Sequence, residues 1–269
     1  MANIYCLPIM NKSKIIFLDV DGTLISFDTH KVPESAIAAL RKAHDQGIKI
    51  VIATGRAWTD LADLEDIPYD AIVSLNGAHN LLRDGTDISL KPIPREDFDV
   101  VRDLASRHDF PIAIEVENGL FVNKVTDIVV KLSNLTAHPV PPVVDLEKVF
   151  SRGRCCQICL YCEENVEKEI MAELPGLTVS RWNQYFADVN VAGVDKGTGI
   201  SEICRYYGID PKDSMAIGDG GNDIPMFRTA GISVAMGGAS DNVKSAAGFV
   251  TDTVDNHGIA NAMQYFGIA

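Results

Sequence analysis

Asp19 and Asp21 stand one residue apart in FLDVDGTL (residues 17–24), directly after the apolar run Ile15-Ile16-Phe17-Leu18. Carboxylates this close repel each other. At the mouth of a core strand, followed by a Gly22-Thr23 turn, they are either polar punctuation on a surface turn or ligands for something positive that takes part in chemistry. Similar polar groups follow other apolar runs. Thr54, Gly55 and Arg56 come after IKIVIA, Asn76 and Gly77 after AIVSL, and Asp219, Gly220, Gly221, Asn222 and Asp223 after SMAIG. Asp195-Lys196-Gly197 precedes an apolar-periodic segment.

The elements that must carry these groups alternate. A strand at about 14–19 leads to a helix at about 34–46, where Ile37, Leu40 and Ala43 recur at intervals of three and Gly47 ends the periodicity. A fully buried strand, a short helix from about Ala57 and a third strand follow. The last third repeats the alternation, with helices at about 197–207, 222–229 and 240–247 between short apolar strands, and a C-terminal helix. Such alternation predicts a parallel sheet covered by helices on both faces. Ligands of these sheets bind beyond the carboxyl ends of the strands. The polar groups named above collect at that edge from segments far apart in sequence, which an isolated Asp-Gly turn does not explain.

The middle of the chain reads differently. It has a helix at about 95–108, two strands parted by Asn118-Gly119 (a hairpin signal), a helix at about 125–135, the proline-rich HPVPPVV, a cysteine-rich strand and a helix at about 163–173. One α/β domain interrupted by a smaller α+β domain is the expected organisation. Four of the six cysteines lie in RCCQICLYC (154–162), with Cys156, Cys159 and Cys162 at intervals of three. Strand alternation would send Cys156 and Cys162 to one face and Cys155 and Cys159 to the other, and no histidine is near. These read as buried thiols rather than metal ligands.

The composition is that of an ordinary globular protein of 269 residues, 46% hydrophobic and 23% charged. No apolar run is long enough for a membrane span. The start, MANIYCLPIMNKSK, lacks the pattern of a secretory signal, and Met10 is an alternative start, so the cytoplasm is the expected location. A net charge of -13 without a basic stripe argues against nucleic acid or anionic membrane as partners. An anionic substrate would then need a metal ion or a local cation. Oligomeric state is not legible.

DVDGT, TGR, the lysine of DKGTG, and GDGGND resemble the four motifs of the haloacid dehalogenase (HAD) superfamily, in order and at suitable strand ends. The match is closest to the Cof-type (subclass IIB) phosphatases, which LNGA after the third strand also fits. The resemblance covers the chain from about residue 14. It implies an α/β fold: a Rossmann-like parallel-sheet HAD core at 1–82 and 185–269, with an inserted α+β cap of the C2B type at 83–184. Asp19 would be the nucleophile that forms an aspartyl-phosphate, and Asp21 the general acid and base. Asp21 occupies the position where related P-type ATPases carry threonine. Mg2+ would be held by the Asp19 and Asp219 carboxylates, the Asp21 carbonyl, and Asp223 through water. The other reading of Asp223 is the N-terminal charge of its helix. Thr54, the Gly55 amide and Lys196 would bind the phosphoryl group, assisted by Asn222, with Arg56 and Asn76 in supporting positions.

The implied activity is Mg2+-dependent hydrolysis of small phosphorylated metabolites, above all sugar phosphates. Alternatives are a phosphohexomutase or other phosphotransferase, and a phosphate-ligand sensor without turnover. Hexose, pentose, pyridoxal and flavin phosphates all fit as substrates. Discrimination among them is expected from the cap, with Glu117, Asn118, Arg181 and Trp182 as candidates.

Overall fold

The computed structural model describes residues 13–268 except 117, 118, 137 and 138, and leaves the side chains of residues 136, 182 and 183 undescribed. Glu117, Asn118, the Trp182 side chain, Cys6 and Met10 therefore lie outside the described residues.

The chain opens with β1 (Ile15–Leu18), α1 (Glu34–Asp45), β2 (Lys49–Ala53), β3 (Ala71–Ser74) and an antiparallel pair, β4 (His79–Leu82) and β5 (Asp87–Leu90). The insert supplies α2 (Arg95–Arg107), β6 (Ile112–Val116), β7 (Gly119–Val122), α3 (Asp127–Thr136), α4 (Leu146–Phe150), β8 (Gln157–Leu160), α5 (Glu164–Ala172), β9 (Leu177–Asn183) and β10 (Phe186–Val191). The chain then returns through α6 (Lys196–Tyr207), β11 (Ser214–Gly218), α7 (Ile224–Thr229), β12 (Ile232–Ala235), α8 (Asp241–Ala246), β13 (Phe249–Val250) and α9 (Gly258–Tyr265).

Two sheets result. The larger has the order β13-β12-β11-β1-β2-β3-β4-β5, parallel from β13 to β3. Its central strands are buried on both faces, so they read as continuous apolar runs. Ile16, Leu18, Ile50 and Ile52 pack toward α1 and α9, while Ile15, Phe17, Val51 and Ala53 pack toward α6, α7 and α8. The smaller sheet has the order β7-β6-β8-β10-β9 and is antiparallel throughout. One of its faces is closed by α2, α4 and α5 through Phe98, Val101, Leu104, Leu146 and Ile170. The other is only partly covered by α3, over Ala113, Val122, Cys159, Tyr161 and Phe186. No helix among the described residues is long and apolar enough to cross a membrane.

The α/β core with an inserted cap is as expected, but sheet membership moves the divisions. The expected break at 82/83 falls inside the β4–β5 hairpin, whose two strands both belong to the large sheet. The break at 184/185 splits the β9–β10 hairpin of the cap. In each case a polar turn looked like a boundary, whereas hairpin hydrogen bonds hold the strands on both sides in one sheet. The cysteine alternation also needs correction. Strand β8 begins only at Gln157, so Cys155 joins Cys162 in one cluster, Cys159 faces the other side, and Cys156 lies between cap and core. All five described cysteines are buried free thiols, and burial pushes Cys155, Cys159, Cys162 and Cys204 well above the ordinary thiol range.

Helix α6 is seated against β3 by close backbone approach. Gly77 has φ +96°, and a Cβ there would lie 2.4 Å from the Asp195 carbonyl oxygen. Gly47 also has positive φ (+83°), but a Cβ there meets nothing within 4 Å. Gly47→Ala should therefore lose only about 1 kcal/mol of backbone strain, whereas Gly77→Ala adds a clash and should lose about 2–4 kcal/mol. Urea unfolding of both variants checks this; equal losses would mean that the approach of Gly77 to α6 is not constraining.

Candidate active site

Lys196 is the first residue of α6 and is fully buried. Its position is fixed by a capping box one residue earlier: the Thr198 amide donates to the Asp195 carboxylate at 2.8 Å, and the Asp195 amide donates to Thr198 Oγ1 at 3.0 Å. From there Lys196 Nζ donates to Asp19 Oδ1 at 2.5 Å and to Asp223 Oδ1 at 2.6 Å. Asp19 lies just beyond β1, where its amide donates to the Ile217 carbonyl of β11.

Asp223 has both oxygens engaged, because its Oδ2 accepts the amides of Asp219 and Gly220 at 2.9 and 2.8 Å. It thereby shapes the loop after β11. Gly218 leaves room for it, since a Cβ there would lie 2.4 Å from the Asp223 carboxyl carbon. Asp219 accepts the Thr23 hydroxyl at 2.9 Å. One carboxylate oxygen from each of Asp19, Asp219 and Asp223 falls within 4.8 Å of the others. Hard oxygen donors at this spacing suit Mg2+.

The electrostatics point the same way. Burial, then the Asp223 charge, raises the Asp19 carboxyl well above the usual range, with Lys196 opposing. Burial and Asp223 likewise push Asp219 up to about 6. Lys196 is raised as well: burial alone would depress it, but Asp19 and Asp223 outweigh that loss. One ammonium among three close carboxylates leaves an excess of negative charge that a divalent cation would offset.

Asp21 sits at the rim, its side chain 46% exposed. Arg56 grips it with two bonds, Nε to Oδ2 at 2.9 Å and Nη2 to Oδ1 at 2.5 Å, and reaches Asp63 Oδ2 through Nη1 at 2.9 Å. The Arg56 guanidinium thus bonds two carboxylates, those of Asp21 and Asp63. Thr54 is buried beyond β2, and its hydroxyl accepts the Arg56 amide at 3.1 Å. Gly55 faces Asn76, whose amide group would be 3.4 Å from a Cβ at residue 55.

Asn76 occupies the left-handed region (φ 54°, ψ 29°) and is buried. Its Oδ1 accepts Asn222 Nδ2 at 3.0 Å, and its Nδ2 donates to Gln157 Oε1 of the cap at 3.4 Å. Asp19, Asp219, Asp223 and Lys196 thus form one cluster, Asp21 and Arg56 a pair at its mouth, and Asn222 and Asn76 a link to the cap. Arg181 pairs with Glu167 of α5 at 2.5 Å and donates to the Cys162 carbonyl at 3.1 Å. Thr23 and Asp63 were not singled out from the sequence, nor were the buried cap residues Glu115, Gln157, Asp188 and Asn190. Their available signal was a lone polar residue inside an apolar strand.

Residues 16–263 match the haloacid dehalogenase-like hydrolase family, and the chain belongs to it. It is a phosphatase-type member. The structure is similar to that of BT1666 of Bacteroides thetaiotaomicron, a HAD phosphatase, at TM-score 0.93 and 50% identity with both chains fully covered. It is also similar to BT4131, a HAD subclass IIB sugar phosphatase, at TM-score 0.89 and 37% identity, covering 96% of this chain and 100% of that one. Among sequence relatives, the Bacillus subtilis 5-amino-6-(5-phospho-D-ribitylamino)uracil phosphatase YcsE is 26% identical, with 94% of this chain and 95% of that one covered. A Streptococcus pyogenes relative, 28% identical and named as both a phosphatase and a peptidyl-prolyl cis-trans isomerase, is matched over 54% of its own length.

Asp223→Ala strips the acceptor from an ammonium and two amides at 2.6–2.9 Å. Breaking a buried pair in this way should cost about 3–5 kcal/mol. Equilibrium unfolding in the presence of chelator measures it. A loss below about 1 kcal/mol would show that Asp223 does not organise the loop.

Proposed function

We propose that the protein hydrolyses sugar phosphates with Mg2+ as cofactor, through an aspartyl-phosphate on Asp19. The observation that carries the reading is the placement of Asp19 beyond β1, one oxygen on a buried ammonium, within the three-carboxylate cluster. Similarity to a subclass IIB sugar phosphatase supports the substrate class.

Asp19 and Asp219 would hold Mg2+ directly, with the Asp21 carbonyl. Asp223, whose two oxygens are already engaged, would serve from behind. When bound, Mg2+ supplies positive charge that draws the phosphoryl group in and makes its phosphorus electrophilic. A carboxylate oxygen of Asp19 attacks phosphorus, and the bond to the leaving alcohol breaks. Lys196, the Thr54 hydroxyl and the Gly55 amide neutralise the phosphoryl oxygens. Asp21 gives its proton to the departing alkoxide, then takes one from the water that cleaves the acyl phosphate. To carry that proton Asp21 must loosen at least one of its two bonds to Arg56, which accordingly acts as a cradle for the acid and base. Asn222 and Asn76 close the phosphoryl site on its cap side.

Asp19→Asn keeps size and removes the nucleophilic charge. Turnover of an aryl phosphate should fall at least about a thousandfold, with the protein still folded by circular dichroism. Residual activity within tenfold of the native protein, with deamidation excluded by mass spectrometry, would point to direct attack by water.

Chelation should abolish phosphate release and Mg2+ should restore it. Ca2+ should inhibit, because its longer bonds and higher coordination number misplace Asp19 relative to phosphorus. Full activity in excess chelator would remove the metal from the account.

A further inference from the structure

The uncovered part of the cap sheet changes character along a single face. Where α3 covers it, the residues are Ala113, Cys159 and Phe186. Two positions on in β6, back in β8 and on in β10, the same face presents Glu115, Gln157, Asp188 and Asn190, all buried. A sheet face that only had to pack would continue apolar. The change occurs next to the phosphoryl site. Asn222 donates to Asn76, Asn76 donates to Gln157, and Gln157 is the cross-strand partner of Glu115. The Asn76 side chain also acts on the Asp188 carboxyl, lowering it against the effect of burial.

The amides here are committed to one another. Gln157 Oε1 accepts from Asn76 and, at 3.3 Å, from Asn190, while Asn190 Nδ2 also donates to the Cys156 carbonyl at 2.9 Å. The Glu115 carboxylate differs. It is 8% exposed, and no described residue donates a hydrogen bond to it or forms an ion pair with it. The charges that act on it are the carboxylates of Asp188 and of Asp60, a core residue, so it faces the cleft between cap and core. Burial, then Asp188 and Asp60, push Glu115 up to about 8, and burial pushes Asp188 up to about 7. An acceptor open to the cleft that no described residue pairs is available to a donor on a ligand.

Resting on the phosphatase reading above, we propose that Glu115 and Asp188 are the specificity-determining residues of this site. They accept hydrogen bonds from hydroxyls of a polyhydroxylated leaving alcohol and reject leaving groups that carry a carboxylate. Hydroxyls suit the site because they bring donors without charge. A carboxylate-bearing alcohol such as glycolate would bring a negative charge into a buried cleft where two acids are already pushed toward their neutral forms. An alcohol with no donors would leave Glu115 unpaired.

The test compares kcat/KM for sorbitol phosphate, phosphoglycolate and para-nitrophenyl phosphate in the native protein, Glu115→Gln and Asp188→Asn. The native protein should prefer sorbitol phosphate to phosphoglycolate. In each variant the efficiency ratio of sorbitol phosphate to para-nitrophenyl phosphate should fall at least about tenfold, and the ratio of phosphoglycolate to sorbitol phosphate should rise. Both replacements preserve size and neutralise a buried acid, so the thermal midpoint should hold or increase. A loss of folded protein would scale all three efficiencies alike and leave the ratios where they were. Native preference for phosphoglycolate, or ratios unmoved in both variants, would overturn the assignment while leaving the phosphatase reading intact. Absence of Mg2+-dependent hydrolysis of every probe would instead overturn that reading.

Discussion

A single buried ammonium organises this molecule. Lys196 has no exposed surface, and its charge is balanced by Asp19 from β1 and Asp223 from the loop after β11. Desolvating an ammonium costs several kcal/mol, and the cost is recovered only through short, well-placed bonds to carboxylates. The fold is arranged to supply them. Strand β1 lies between β2 and β11, so Asp19 emerges in the middle of the sheet edge. The Asp195 capping box sets the start of α6, and glycines at 77, 197 and 199 let the helix approach the backbone of neighbouring segments closely. Asp223 then passes the constraint to Asp219 by holding its amide.

The contact between cap and core follows from the same edge. Asn76, strained into the left-handed region, joins Asn222 on one side to Gln157 on the other. Asn190 adds a bond from the cap to the Leu75 carbonyl, and Ala57, Leu75, Ala78, Cys156 and Val194 form a small apolar cluster between the two parts. The turn after β3 therefore connects the loop after β11 to the cap. Core and cap are separated in sequence but meet at residue 76.

Much of this was legible in the sequence because the core carries out one task with residues on short, distinctive turns. DVDGT, TGR, DKGTG and GDGGND identify the family, and the continuous apolar runs before them identify parallel strands buried on both faces. The structure brings Asp19, Asp219, Asp223 and Lys196 together as the motif order implied. The partner of Arg56 was harder to read, because it depends on rotamer and distance rather than position: it meets Asp21. The hairpins β4–β5 and β9–β10 were missed because their strands mix polar with apolar residues. In β10, Asp188 and Asn190 alternate with Ala187 and Val189, which reads as a half-exposed edge, yet both polar residues are buried facing the core. The alternation is that of a half-exposed strand, and nothing in it tells that a second domain closes over the polar face.

The central claim is that the phosphoryl group passes through Asp19. The stereochemical course at phosphorus tests it most directly, using a substrate whose transferred phosphoryl group is made chiral with isotopes. Two successive in-line displacements, first by Asp19 and then by water, predict net retention of configuration. Net inversion would mean a single displacement by water, and the cluster around Lys196 would then have to be understood as a binding site rather than as the setting of a nucleophile.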